Sequence, residues 1–215
     1  MKHLVRSTLL LLAGNPEKLY LIKAPSFGMN IFPLIHVSLP LVKEVFLYRG
    51  VRAAATSFKK ILLANVPYIP VQELYPIPHE VLRDSWDATS PHSYDTCLVL
   101  NLISNLYTYL THATLRTDIT AYDYESLIRD PNQFCVSFFR DIGIGKEFVG
   151  AGLTAMRFDS QENSSVSRSR LSGTRGIKIE EQVLKEASEV ARELGVRLEG
   201  EGYQVRGMPN MWKSS

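Results

Sequence analysis

The stretch Val42–Lys60 constrains the fold more than any other part of this 215-residue chain. It begins with the apolar run Val45–Tyr48, whose β-branched and aromatic residues are typical of a short buried strand. Arg49 follows directly, and beyond Gly50 the residues 51–62 have the composition of a helix. The segment therefore predicts a strand, a basic turn and a helix, the unit from which α/β sheets are built.

Arg49 and Ser57 are the candidate binding residues of this unit. In an open α/β sheet, ligands bind outside the carboxyl ends of the strands, and Arg49 stands at such an end. Ser57 lies about two turns into the predicted helix and can face the same crevice. A guanidinium and a hydroxyl that converge in this way suit a phosphate, because both donate hydrogen bonds to its oxygens.

This order of strand, Arg, helix and Ser resembles the 3′-phosphate-binding motif of the sulfotransferases that use 3′-phosphoadenosine 5′-phosphosulfate (PAPS). Two other segments resemble family segments and occur in the family's order: IKAPSFGMNIFPLI at 22–35 is similar to K-[ST]-P-[PS]-F, and YESLIRDPNQFCVSFFRDIGI at Tyr124–Ile144 is similar to Y-E-D-L…P…FLG. The resemblance implies an α/β fold of the P-loop NTPase type, with a parallel sheet flanked by helices. It also implies PAPS as co-substrate, no metal, and sulfuryl transfer to a hydroxyl or amine of a small-molecule or carbohydrate acceptor.

The resemblance also implies roles for individual residues. Arg49 and Ser57 would hold the 3′-phosphate of PAPS. Lys23, at the end of the predicted strand Leu19–Ile22, would contact the transferring sulfuryl group. In one branch of the family the catalytic base is a His two residues after this Lys, and here Pro25 stands at that place. The base is therefore unassigned.

Two residues are alternative candidates for the base. His36 lies on a mostly apolar predicted helix at 29–39, where a lone His is more often structural than catalytic. Glu125 lies in the segment whose carboxylate supports the fold in the resembled family, so a structural role is preferred for it as well.

One family element is missing from the sequence. The resembled enzymes begin with a loop, roughly T-x-P-[KR]-[ST]-G-[ST], that holds the 5′-phosphosulfate. The nearest fragment, KAPSFG at 23–28, already matches a later element, and Lys146 is not followed by Ser or Thr. We therefore expect an N-terminally truncated version of the fold, in which a partner chain is one possible source of the missing first strand. The alternative function is a non-catalytic nucleotide-binding or protein-interaction module derived from a sulfotransferase.

Two irregular stretches interrupt the predicted elements. Residues 65–92 are rich in proline and predict a long surface excursion, which serves either as a connection or as a grip on the acceptor. The candidate acceptor contacts there are His79, Trp86 and His92.

The second irregular stretch, 157–176, is polar and rich in Ser and Arg. It is either a solvated loop or a loop that closes over a phosphate through Arg168 and Arg170.

The remaining elements follow from periodicity and from end signals. Helices are predicted at Tyr94–His112, at Asn132–Ile142 with Pro131 in the first turn and Gly143 at the end, and at Ile179–Leu194 before Gly195; a strand is predicted at Ile119–Tyr124.

Composition bounds the class of protein. The length suits one domain over residues 1–215, and a net charge of +2 is too small for a nucleic-acid footprint. Cys97 and Cys135 lie in apolar segments without metal-ligand spacing, which predicts buried free thiols. No apolar run approaches the length of a membrane span. Residues 1–14 are interpreted as a folded helix, which favours the cytoplasm, although a cleaved signal there would place the chain in the secretory pathway.

Overall fold

The computed structural model describes residues 32–39, 42–65, 94–115, 119–157, 174, 176–209 and 211. This part of the chain has a mixed α/β fold that is mostly helical and contains a small parallel sheet. Its elements, in order, are α1 (Phe32–Ser38), β1 (Val45–Tyr48), α2 (Val51–Asn65), α3 (Tyr94–Leu115), β2 (Thr120–Asp123), α4 (Tyr124–Arg129), α5 (Pro131–Ile142), a 3-10 turn (Lys146–Phe148), α6 (Val149–Ala155), α7 (Glu181–Glu193), β3 (Leu198–Glu199) and β4 (Gln204–Val205).

Several predictions fall wholly or mostly outside the described residues. These are the helix over residues 1–14, the strand Leu19–Ile22, the proline-rich stretch 65–92 and the polar stretch 157–176.

The sheet joins two strands that the sequence predicts. β1 pairs in parallel with β2, from Val45 opposite Thr120 to Tyr48 opposite Asp123. Because the strands run in the same direction, their carboxyl ends meet at one edge. The prediction of a parallel sheet flanked by helices is confirmed at this level.

Helix α3 is the centre of the core. Its apolar residues Val99, Ile103 and Tyr109 are fully buried, and the core extends from them to residues of both α2 and α7. On α2 the fully buried positions are Val51 and Ala55, one turn apart.

A small hairpin at the end of the described chain caps α2. β3 and β4 pair antiparallel, and the turn between them accepts hydrogen bonds from the first residues of α2, from Val51 N to Tyr203 O at 3.2 Å and from Arg52 N to Gly202 O at 3.3 Å. These bonds satisfy two N–H groups that a helix start leaves without an intrahelical partner. The sequence does not predict this hairpin, because each strand has only two residues.

The segment after β2 follows the sequence closely. Helix α5 begins with Pro131, directly after its N-cap Asp130, and ends at Gly143, whose φ of 80° is the left-handed conformation expected at a helix end. Between the predicted strand and α5, where no helix is predicted, the structure has the short helix α4.

Two predictions from composition can be compared with the structure. Cys97 and Cys135 are free and buried, as predicted. Within the described part of the chain, no helix combines the length and the hydropathy needed to cross a membrane.

Candidate anion-binding site

Arg49 lies where the carboxyl ends of β1 and β2 meet. It follows Tyr48, which pairs with Asp123, and its side chain reaches the first turn of α4. There its Nε atom faces Glu125 Oε1 at 3.4 Å, and its guanidinium lies over the ring of Tyr124, 4.8 Å from the ring centre. The ion pair is long for a charge-assisted hydrogen bond, so it holds the guanidinium loosely.

The outer part of the guanidinium is open to a ligand. The Arg49 side chain is 37% exposed, and its contact with Glu125 is made through Nε. Its two terminal nitrogens donate to no residue in the described part of the chain. These nitrogens form the donor fork that binds phosphate in other proteins. The site therefore has the donors that a phosphate needs at the carboxyl edge of a parallel sheet.

Glu125 is held between a cation and an acid. Its Oε1 faces Arg49, whereas its Oε2 is buried and has no hydrogen-bond partner among the described residues. Burial raises the pKa of Glu125, the neighbouring carboxyl of Asp123 raises it further, and the positive charge of Arg49 opposes both effects. The net direction is upward, so Glu125 takes up a proton more readily than an ordinary glutamate.

Asp123 has a local structural task at the same place. As the N-cap of α4 it accepts hydrogen bonds from Glu125 N at 3.3 Å, Ser126 N at 3.1 Å and Ser126 Oγ at 3.0 Å. Asp123 and Tyr124 are not among the site residues that the sequence predicts. The signal is present, because both residues follow directly on the predicted strand that pairs with β1.

Arg52, three residues beyond Arg49, is committed to holding the fold together. Its guanidinium pairs with Glu181 Oε2 at 2.7 Å, donates to the carbonyl of Glu201 and lies 5.3 Å from the ring centre of Tyr203. The hydroxyl of Tyr203 donates to Glu181 as well, and the hydrogen bonds from Arg52 and Tyr203 lower the pKa of Glu181. Of Arg49 and Arg52, Arg49 is therefore the one available to an anion.

Ser57 is half-buried on α2, six residues after Val51. That separation is about 9 Å along the helix, and Ser57 points about 120° away from the buried Val51. On the opposite flank, Lys59 forms an ion pair with Asp95 of α3. Ser57 is therefore outside the face of α2 that packs on α3.

Of the remaining predicted site residues, only His36 and Lys146 lie within the described part of the chain. Lys23, Pro25, His79, Trp86, His92, Arg168 and Arg170 lie outside the described residues, and for His36 only its position in α1 is described. Lys146 lies exposed in the 3-10 turn after α5.

Comparisons of the chain with protein-family models, curated proteins and solved structures give no significant match.

Proposed function

We propose that this chain is a sulfotransferase-like protein that binds the 3′-phosphate of PAPS at Arg49. Its reaction would transfer the sulfuryl group of PAPS to a hydroxyl or amine of a small-molecule or carbohydrate acceptor. The observation that carries the proposal is the position of Arg49. Its exposed guanidinium lies where the carboxyl ends of two parallel strands meet. Its ion pair with Glu125 is long, at 3.4 Å, and so competes weakly with a ligand.

The proposed contacts divide the nucleotide between two ends. Arg49 donates two hydrogen bonds to the 3′-phosphate, and Ser57 on α2 donates another. Lys23 neutralises charge near the sulfuryl group as the bond from sulfur to the 5′-phosphate breaks. Arg168 and Arg170 add positive charge over the bound phosphates.

The position of Glu125 argues against its serving as the base. A base must reach the acceptor proton, which lies beside the transferring sulfuryl group. Glu125 instead contacts the arginine that would hold the 3′-phosphate. It belongs to the opposite end of the nucleotide, in keeping with the structural role favoured from the sequence.

The second candidate is a non-catalytic module that binds the nucleotide without turnover. One observation favours it: Pro25 occupies the position of the base in the resembled family. This candidate shares the Arg49 site with the first and differs only in chemistry.

Calorimetric titration with adenosine 3′,5′-bisphosphate tests the shared site. We expect saturable binding by the wild type. Arg49→Ala should weaken binding by about 1.5–3 kcal/mol, roughly ten- to a hundredfold, because it removes a charge-assisted contact. Arg206→Ala is the matched control, since Arg206 is an exposed arginine paired with Glu199 in the hairpin. The proposal fails if the folded wild type does not bind, or if both variants weaken binding equally.

Transfer of labelled sulfate from PAPS to a panel of phenols, alcohols and amines separates the two candidates. An enzyme produces labelled acceptor, and Lys23→Ala reduces the rate more than it reduces nucleotide binding. Nucleotide binding without product from any acceptor class supports the module.

A further inference from the structure

Among the described residues, the groups around Arg49 carry more negative than positive charge. Glu125 faces the Arg49 guanidinium, and Asp123, at the end of the neighbouring strand, acts on Glu125 through its negative charge. With both ionised, the three groups sum to a net charge of about −1, which attracts a dianionic phosphate poorly. A ligand with two negative charges therefore needs a change in this balance before it can bind tightly.

Glu125 is the group best placed to make that change. Its buried Oε2 has no hydrogen-bond partner in the described part of the chain, and both burial and Asp123 act against its charged form. Asp123, by contrast, is engaged as the N-cap of α4, where it accepts three hydrogen bonds from the first turn of the helix. An additional negative charge at Arg49 would thus be relieved most easily by protonating Glu125.

The groups that face Glu125 come from three elements. Tyr48 ends β1, and its pKa is raised by burial and further by the charges of Asp123 and Glu125; Arg49 follows directly after the strand. Asp123 ends β2, and Tyr124 precedes Glu125 on α4. Helix α5 also packs on α4, but the charges acting on Glu125 are those of Asp123 and Arg49. The ionised carboxylate is favoured by a hydrogen bond from the backbone of Glu125 and by the charge of Arg49, and both effects are smaller than that of burial.

We propose that Glu125 sets the charge of the ligand that Arg49 accepts, because a dianion binds together with one proton that Glu125 takes up. The proton comes from solvent, converts the carboxylate into a neutral acid and ends its ion pair with Arg49. Both terminal nitrogens and Nε then serve the ligand. The inference rests on the proposed phosphate site at Arg49 and makes Glu125 a specificity-determining residue of that site.

The test is titration with adenosine 3′,5′-bisphosphate near neutral pH in two buffers of different ionisation enthalpy. The difference in observed heat gives the number of protons taken up per bound ligand. We compare the wild type with Glu125→Gln, in which the charge is removed at constant shape. Glu199→Gln is the control, because it removes a glutamate that pairs with an arginine away from the site.

We expect wild type and Glu199→Gln to take up more protons than Glu125→Gln, by a difference approaching one. Proton uptake by the phosphate itself is common to all three proteins and cancels. Glu125→Gln should also bind about tenfold more tightly, because its guanidinium is already free of a competing carboxylate. Equal proton uptake in all three proteins, or weaker binding by Glu125→Gln, overturns the inference.

A failure of the inference is distinguishable from a failure of the proposed function. If the wild type binds and Arg49→Ala weakens binding, but Glu125→Gln matches the wild type, only the role of Glu125 is wrong. If neither wild type nor Glu125→Gln binds, the phosphate site itself is wrong, and the inference falls with it.

A second measurement does not depend on the folding of Glu125→Gln. Inorganic sulfate keeps two charges throughout the weakly acidic and neutral range, so its binding reports only on the protein. Affinity of the wild type for sulfate should rise as pH falls and Glu125 becomes protonated, and Arg49→Ala should lose this rise. A flat profile for the wild type contradicts the proposal.

Discussion

Replacing Lys59 with Met should destabilise the fold, because it breaks an ion pair between α2 and α3 and a hydrogen bond to the segment before α7. Lys59 Nζ on α2 contacts both carboxylate oxygens of Asp95 on α3, at 2.7 and 2.9 Å, and donates to the carbonyl of Lys178 at 3.0 Å. Asp95 also accepts from Glu180 N at 3.1 Å, directly before α7. After the substitution, the nitrogen of Glu180 is the only donor left to Asp95 among these groups.

The magnitude follows from burial. The Asp95 side chain is 5% exposed, so its charge would be left almost without water. Removing one partner of a buried pair costs about 3–5 kcal/mol. Lys59 is itself 23% exposed, which weakens the pair and places the expected loss near the lower end, at about 3 kcal/mol. A loss of this size is a large part of the stability of a small domain.

Urea denaturation followed by circular dichroism measures the loss. The control is Lys185→Met, a change of the same chemistry at an exposed position of α7, which should stay within about 0.5 kcal/mol of the wild type. Adding Asp95→Asn to Lys59→Met should recover part of the stability, because the uncompensated charge disappears while an oxygen remains for Glu180 N. The reasoning is refuted if Lys59→Met costs no more than the control, or if Asp95→Asn adds a further full loss.

Two other changes test the packing of α2 and α3. Gly50→Ala places a Cβ 2.9 Å from the carbonyl oxygen of Gly202, so we expect the free energy of unfolding in urea to fall by about 1–3 kcal/mol. The control is Gly150→Ala, whose Cβ has open space around it and should not reduce stability. Equal effects of the two changes would contradict the close approach at Gly50. Burial raises the pKa of the Cys97 thiol from 9.0 to about 11, so above pH 9 the thiol ionises more readily in the unfolded chain than in the folded one. Its contribution to the free energy of unfolding is therefore complete below pH 9 and is lost as pH rises towards 11. Unfolding free energies of the wild type should therefore fall about 2–3 kcal/mol more over this range than those of Cys97→Ala, and parallel profiles would show that the thiol is not desolvated.

Elements defined by local chemistry were predictable from the sequence. The apolar run Val45–Tyr48 forms a strand with the predicted bounds, although only Tyr48 is buried and Leu47 is exposed. Pro131 and Gly143 delimit α5, and Gly195, with a φ of 77°, follows α7. These signals act within a few residues, through the fixed φ of proline, the freedom of glycine at positive φ and the period of apolar side chains.

The surroundings of the candidate site were only partly predictable. The sequence identified Arg49 as a residue at a strand end and singled out Glu125, but it did not join them. They are 76 positions apart and meet only because β1 and β2 pair in parallel in one particular register. A shift of one residue would turn the side chains of the strand to the other face and change which groups meet at its end.

Arg49 and Arg52 show most clearly what the sequence determines and what only the tertiary structure decides. By sequence alone, both are cations near the start of one helix, and neither has an identifiable partner. Tertiary structure distinguishes them, because Glu181 and the hairpin turn surround Arg52, whereas Arg49 meets a long ion pair and keeps its terminal nitrogens open. Local sequence determines where a charge stands along the chain. Only the contacts between distant segments decide whether that charge is neutralised within the fold or left for a ligand.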